Sequence, residues 1–161
     1  MDLTFLFPYV LFLHVFGAIL AFGPTYAFRI IGSRGGAEPQ HANFASRVTE
    51  AIGTGQVYPL AILQGITGVL LLLLSKVNLF GTPWLLLGIA LYLVALVYAL
   101  TIQRNTLHDV IEMSSAPPPA DAPPGPPPAL LAAVKKVQRG GIFLGATIAV
   151  IVFLMVVKPG A

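Results

Sequence analysis

An all-α integral membrane four-helix bundle, with the N-terminus and C-terminus outside, is the fold class this sequence predicts. Three observations predict it. Hydrophobic residues make up 57% of the 161 and charged residues only 9%, against roughly 25% charged in an ordinary soluble domain. Four stretches carry no charge at all: Leu3–Phe28, Ala51–Ser75, Val77–Gln103 and Gly140–Val157, of 26, 25, 27 and 18 residues. The lysines and arginines crowd into two of the segments between them. A soluble globule could not cover itself with so few charges, and a disordered chain would be far less apolar. The absence of cysteine excludes disulfide scaffolds, iron–sulfur clusters, thiol catalysis and zinc sites with cysteine ligands.

Each charge-free run is long enough to be a span, since ~20 apolar residues in a helix cross a bilayer core about 30 Å thick. Transmembrane strands would alternate in polarity over ~10 residues, and nothing here does. The chain is therefore expected to be a single membrane domain over 1–161. Its helices should cover about 3–30, 51–75, 83–104 with a cytoplasmic extension to about 113, and 140–157. The first run carries Asp2 and no leading Lys or Arg. It is also longer than the ~7–15 apolar residues of a signal peptide, so it reads as a retained helix.

Orientation follows the cations. With four spans, the connections 29–50 and 104–139 share one side. That side holds Arg29, Arg34, Arg47, Arg104, Lys135, Lys136 and Arg139, and the other holds only Lys76 and Lys158. The rich side is expected to be cytoplasmic, in the cell (cytoplasmic) membrane. The net charge of +3 then reports topology. It builds no basic face for nucleic acid, which is not an expected partner.

The connection Lys76–Pro83 is short and predicts antiparallel neighbours, with Pro83 in a helical first turn and Trp84 at the headgroup level. The segment 116–128 holds eight prolines in thirteen residues and reads as a semi-rigid cytoplasmic linker, or a ligand for proline-reading domains. Leu107, Val110 and Ile111 form one face of the extension of helix three. Ala42–Glu50 reads as a short interfacial helix leading into helix two.

Membrane helices meet through small and polar residues, and each span shows such a stripe. The stripes are His14, Gly17, Ala18, Ala21 and Thr25; Thr54, Tyr58, Ala61, Gln64, Gly65 and Gly68; Gly88, Tyr92, Ala95 and Ala99; and Gly141, Gly145 and Ala149. Pro24 and Pro59 each remove a helical hydrogen bond. They either widen a cytoplasmic vestibule or are satisfied by neighbours.

His14 is the main candidate for chemistry, because intramembrane ionisable side chains are functional hypotheses by default. Gln64 should lie at a similar depth, and Tyr58 and Tyr92 share the inward faces. His14, Gln64, Tyr58 and Tyr92 form the candidate cofactor-binding set. Three roles are open for His14. It can ligate a haem iron. It can relay a proton or bind a quinone head. Or it can hydrogen-bond Gln64, Tyr58 or Tyr92 and fix the bundle. One deep histidine per chain limits a haem b to a single axial histidine, a non-histidine second ligand, or a dimer sharing two His14 residues.

His108 and Glu112 are spaced i, i+4 with Asp109 adjacent, but two ligands close no metal site, and no metal site is assigned. Serines lack a His/Asp partner, and there is no phosphate-binding glycine loop. No Asp, Glu or Lys falls within the spans, which argues against ion-coupled transport. No catalytic residue is assigned.

The segments LHVFGAILAFG around His14, TGVLLLL (Thr67–Leu73) and TPWLLLGIALYLVALVYAL (Thr82–Leu100) are similar to a bacterial family of predicted integral membrane proteins of unknown function. That resemblance implies a four-helix inner-membrane architecture. The opening helix also resembles HemJ-type protoporphyrinogen oxidases and copper-resistance D-type membrane proteins. In the former a first-helix histidine is implicated with haem, which maps onto His14, while Ala21 stands where a tryptophan commonly follows.

The expected function is that of a non-enzymatic accessory or ligand-binding membrane component. Its partner would be another membrane protein or a second copy of the chain. The alternative is a redox protein binding haem b or quinone at His14. A third reading is a scaffold acting through its proline-rich loop.

Overall fold

A computed structural model describes residues 3–115 and 125–160. Most of the expected proline-rich linker, 116–124, lies outside the described residues. The chain is all-helical, with no strand among the described residues. Four of its helices are long and apolar enough to cross a membrane.

Helix α1 spans Phe7–Ala37, with a proline in its first turn. A turn at Pro39–His41 leads to α2, Ala42–Ile52, and a π-helical segment, Gly53–Val57, joins α2 to α3, Tyr58–Ser75. Helix α3 stops at Lys76, whose φ of 52° is left-handed. Asn78 then caps the turn Leu79–Gly81 by accepting from the Gly81 amide. Helix α4, Pro83–Tyr98, begins on its proline as expected. A second π segment, Ala99–Gln103, carries it into α5, Arg104–Ser115, and α6 runs from Pro128 to Val157.

Helices at the basic end are longer than the hydropathy pattern suggested. α1 continues past residue 30 to Ala37, so the connection 29–50 is a tight helical corner, in which α2 covers the expected short helix Ala42–Glu50. Gly35 makes that corner: a side chain there would begin 2.9 Å from the Ala45 Cβ. α6 begins at Pro128 and not near Gly140. Continuous spans of 30 to 37 residues reach about 45–55 Å at 1.5 Å per residue. They stand well clear of a ~30 Å hydrocarbon core.

The most extensive helix pairs are α1 with α3, α1 with α2 and α4 with α6, while α2 and α5 meet at the basic end. Helices α3 and α4 are consecutive, yet they are not among the close pairs. One long side chain bridges them: the Tyr92 hydroxyl donates to the Ala61 carbonyl at 2.9 Å.

Besides Val57, Leu107, Val110 and Leu154, the buried positions are small or polar. They include Gly17 and Ala21 on α1, Ala61, Gln64 and Thr67 on α3, and Gly88 and Ala95 on α4. No large side chain is fully buried, and Phe12, Phe16, Ile62, Leu73, Val97 and Ile142 face outward. Acyl chains are as apolar as leucine, so the gain lies in backbones approaching closely and not in removing leucine from lipid.

Two expected stripes are displaced. On α6 the inward residues are Gly140, Thr147 and Leu154, while Gly141 and Ala149 are exposed. The spacing of glycines at 141 and 145 hid the adjacent Gly140, which is the one facing a crowded neighbour. On the second span Thr54 is exposed, and Gly53 and Val57 are buried. The extra residue per turn of the π segment rotates the register there.

Pro24 lies inside α1 without ending it. Its missing N–H would leave the Leu20 carbonyl without a helical donor. Gln56, from the first π segment, donates to that carbonyl at 2.9 Å. Gln103, from the second π segment, likewise donates to the Val137 carbonyl of α6 at 3.1 Å.

Candidate functional site

The deep polar residues converge on the seam between α1 and α3. His14, Gly17 and Ala21 recur at helical spacing along the inner side of α1. Ala61, Gln64, Thr67 and Gly68 face them from α3. His14 Nδ1 lies 2.7 Å from Thr67 Oγ1, and Gln64 Nε2 donates to the His14 backbone carbonyl at 2.8 Å. The Gly68 side of α3 meets the imidazole edge, since a Cβ there would lie 3.5 Å from His14 Cε1.

Glycines make these contacts reachable. A Cβ at Gly17 would lie 2.7 Å from Gln64 Nε2, and one at Gly65 would lie 2.6 Å from the Tyr92 hydroxyl. A Cβ at Gly140 would run into Gln103, which bonds the carbonyl three residues earlier. In all three cases a helix omits a side chain so that a donor from another helix can touch its backbone.

Of the four candidate residues, His14 and Gln64 are brought together. Gln64 binds the main chain of His14, however, and the ring goes to Thr67. Tyr92 reaches the same stretch of α3 from α4, at Ala61 and Gly65. Tyr58 lies six residues before Gln64, about 9 Å along the axis, with its ring beside Gly53. The hydrogen bond of the imidazole with a tyrosine is thus replaced by one with Thr67. Thr67 was legible in principle, since it falls one turn beyond Gln64 on the same stripe. Its place at the head of a leucine run concealed it.

The Thr67 hydroxyl also lies 3.0 Å from the Leu63 carbonyl one turn back. When it donates there, His14 Nδ1–H is the donor to Thr67 and Nε2 carries the imidazole lone pair. Among the described residues no buried side-chain nitrogen or oxygen lacks a partner. The seam can therefore hold two helices together through satisfied polar groups, and it leaves one imidazole nitrogen for a further partner.

The family model for predicted integral membrane proteins designated DUF2269 matches residues 8–159. The chain belongs to the DUF2269 family. No curated protein and no solved structure matches it. The DUF2269 match takes in the whole α1–α3 seam, both π segments and the basic end. What the family membership supports is an integral membrane protein, in agreement with the four apolar helices.

At the basic end of this DUF2269 protein, His108 lies 3.3 Å from Glu50 of α2 and 3.6 Å from Glu112 of its own helix. Asn43 Nδ2 is within 3.1 Å of the Ile111 carbonyl, 2.9 Å of Ser114 Oγ and 3.0 Å of Ser115 Oγ. These contacts tie α2 to α5. Among the described residues no group of three or more acidic or histidine side chains is arranged to hold a metal.

Proposed function

We propose that this protein is a non-enzymatic, multi-pass component of the cytoplasmic membrane, with both termini outside and its basic helical corners in the cytoplasm. It acts as an accessory subunit toward another membrane protein or a second copy of itself. The single observation that carries this reading is that the deep polar seam, His14 Nε2 apart, is hydrogen-bonded within itself. His14, Thr67 and Gln64 use one another and nearby main-chain groups as partners. A histidine used in this way fixes the register of two helices, as polar groups in membrane bundles do. Gly141 of α6 is exposed, with open space where its side chain would be. That leaves room for a helix of a partner.

The experiment is expression with ample haem, followed by purification of the wild type and of His14→Ala. The expected result is a colourless protein whose His14→Ala form unfolds at lower temperature. A Soret band that disappears in His14→Ala would overturn this reading.

One observation favours a second reading. Imidazole ligands usually have their other ring nitrogen anchored by a hydrogen bond, and Thr67 gives His14 Nδ1 that anchor. Nε2 would then hold a haem b iron or the carbonyl of a quinone. Because one chain supplies one deep histidine, a bis-histidine haem would require His14 from two copies. The same spectrum decides between the readings for haem. For quinone, extraction and chromatography of the purified protein decides.

A further inference from the structure

The strongest concentration of unpaired charge lies away from His14. Lys135, Lys136 and Arg139 fall within little more than one turn of α6, spaced i, i+3 and i, i+4, so all three project from neighbouring positions. They border a cleft of about 580 Å³ whose other walls are Ala132, Tyr98, Phe143 and the bare backbone at Gly140. None of the three cations has an acidic partner within ion-pair distance among the described residues.

The depth of the cleft is set by the sequence. The charge-free run of α6 begins at Gly140, so Arg139 stands at the boundary of the hydrocarbon. Phe143 lies one turn further in and packs edge-on against Tyr98, with ring centroids 5.0 Å apart. A Cβ at Gly140 would come within 2.6 Å of the Tyr98 hydroxyl, so that hydroxyl sits at the level of the cations. The cleft thus has a cationic rim toward water and an aromatic floor toward lipid.

We infer that this cleft binds an anionic phospholipid. Its phosphate lies against Lys135, Lys136 and Arg139, within reach of the Tyr98 hydroxyl, and its acyl chains run along Phe143. Charge complementarity selects the headgroup, and the apolar floor selects a lipid over a free phosphate. A soluble phosphate would meet the rim alone. Basic pockets between membrane helices on the positive side are suited to such headgroups. The site is separate from His14, so its failure would leave the reading of the α1–α3 seam untouched.

The test is native mass spectrometry of the delipidated full chain, titrated with phosphatidylglycerol or phosphatidylcholine. The wild type should prefer phosphatidylglycerol. Each basic residue near an anionic surface contributes roughly fivefold. The triple variant K135Q/K136Q/R139Q should therefore lose affinity by roughly a hundredfold. Arg139→Lys should retain most of the preference, and K76Q/K158Q, at the opposite end, should retain all of it. Unchanged helical circular dichroism in the triple variant shows that the bundle survives.

Equal retention of both lipids by the wild type would overturn the inference, as would full phosphatidylglycerol binding by the triple variant. Loss of the preference in K76Q/K158Q would do the same. Displacement of the lipid by millimolar inorganic phosphate would also overturn it, by showing that the rim alone binds.

Discussion

Gln64 fills the space that a side chain at Gly17 would occupy: a Cβ at position 17 would lie 2.7 Å from Gln64 Nε2. That nitrogen donates to the carbonyl of His14, one turn earlier on the same helix. Replacing Gly17 by alanine should expel the amide and part α1 from α3. We expect Gly17→Ala to destabilise the bundle by about 1–2 kcal/mol, the upper range for an intramembrane hydrogen bond. Gly23→Ala, where nothing lies within 4 Å of the added carbon, should be neutral or mildly stabilising. Unfolding in detergent of the two variants side by side checks the contrast.

Gln56 and Pro24 should be energetically coupled. Gln56→Leu leaves the Leu20 carbonyl without the donor that replaces the missing proline N–H, and should destabilise by about 1 kcal/mol. In a Pro24→Ala background the main chain can supply its own donor, so the same substitution should matter much less. A double-mutant cycle showing additive effects would reject the coupling.

Tyr92→Phe should loosen α3 from α4 with little other change, because the hydroxyl bond to Ala61 spans a pair of helices whose backbones are not close. A loss near 0.6 kcal/mol, and no more than about 2, is expected. Gly65→Ala should be worse, since the added carbon would meet the hydroxyl itself at 2.6 Å.

Asn43→Ala should fray the end of α5. Its amide serves the Ile111 carbonyl and the Ser114 and Ser115 hydroxyls, at a terminus where the last helical carbonyls lack internal donors. Faster amide exchange over Ile111–Ser115, with unchanged exchange in α4, is the expected signature.

Topology is testable by single cysteines. Ser115→Cys and Asn78→Cys should react with an impermeant thiol reagent from opposite faces of sealed vesicles. Labelling from the same face would break the four-span arrangement.

The architecture was readable because fifteen charges among 161 residues leave few places for water. The first-span stripe was readable as well, because Gly17, Ala18 and Ala21 lie at undisturbed helical spacing. The stripes failed where that spacing is disturbed or ambiguous. The π segment at Gly53–Val57 turned Thr54 outward, and the pair Gly140–Gly141 offered two candidates for one inward position. The helical corner at Gly35 was hidden because polarity marks the membrane boundary and not the end of a helix. Thr67 escaped notice because hydropathy ranks threonine close to neutral, whereas its hydroxyl is placed by geometry alone. Gln56 and Gln103 belong to none of the small-residue stripes the sequence shows. Their partners are main-chain carbonyls, which no side-chain pattern reveals.

The bulk of this protein lies on its outside. A soluble domain gathers its largest apolar groups at the centre, where they exclude solvent from one another. Here the centre of the spans is chiefly glycine, alanine, threonine and Gln64, and many phenylalanines and leucines point away. The surrounding acyl chains therefore complete the hydrophobic interior, so the cooperative unit is the chain together with its first ring of lipid. Tolerance to mutation is inverted accordingly. Exchange among large residues on the periphery changes little, while a single added methyl at the axis forces two helices apart.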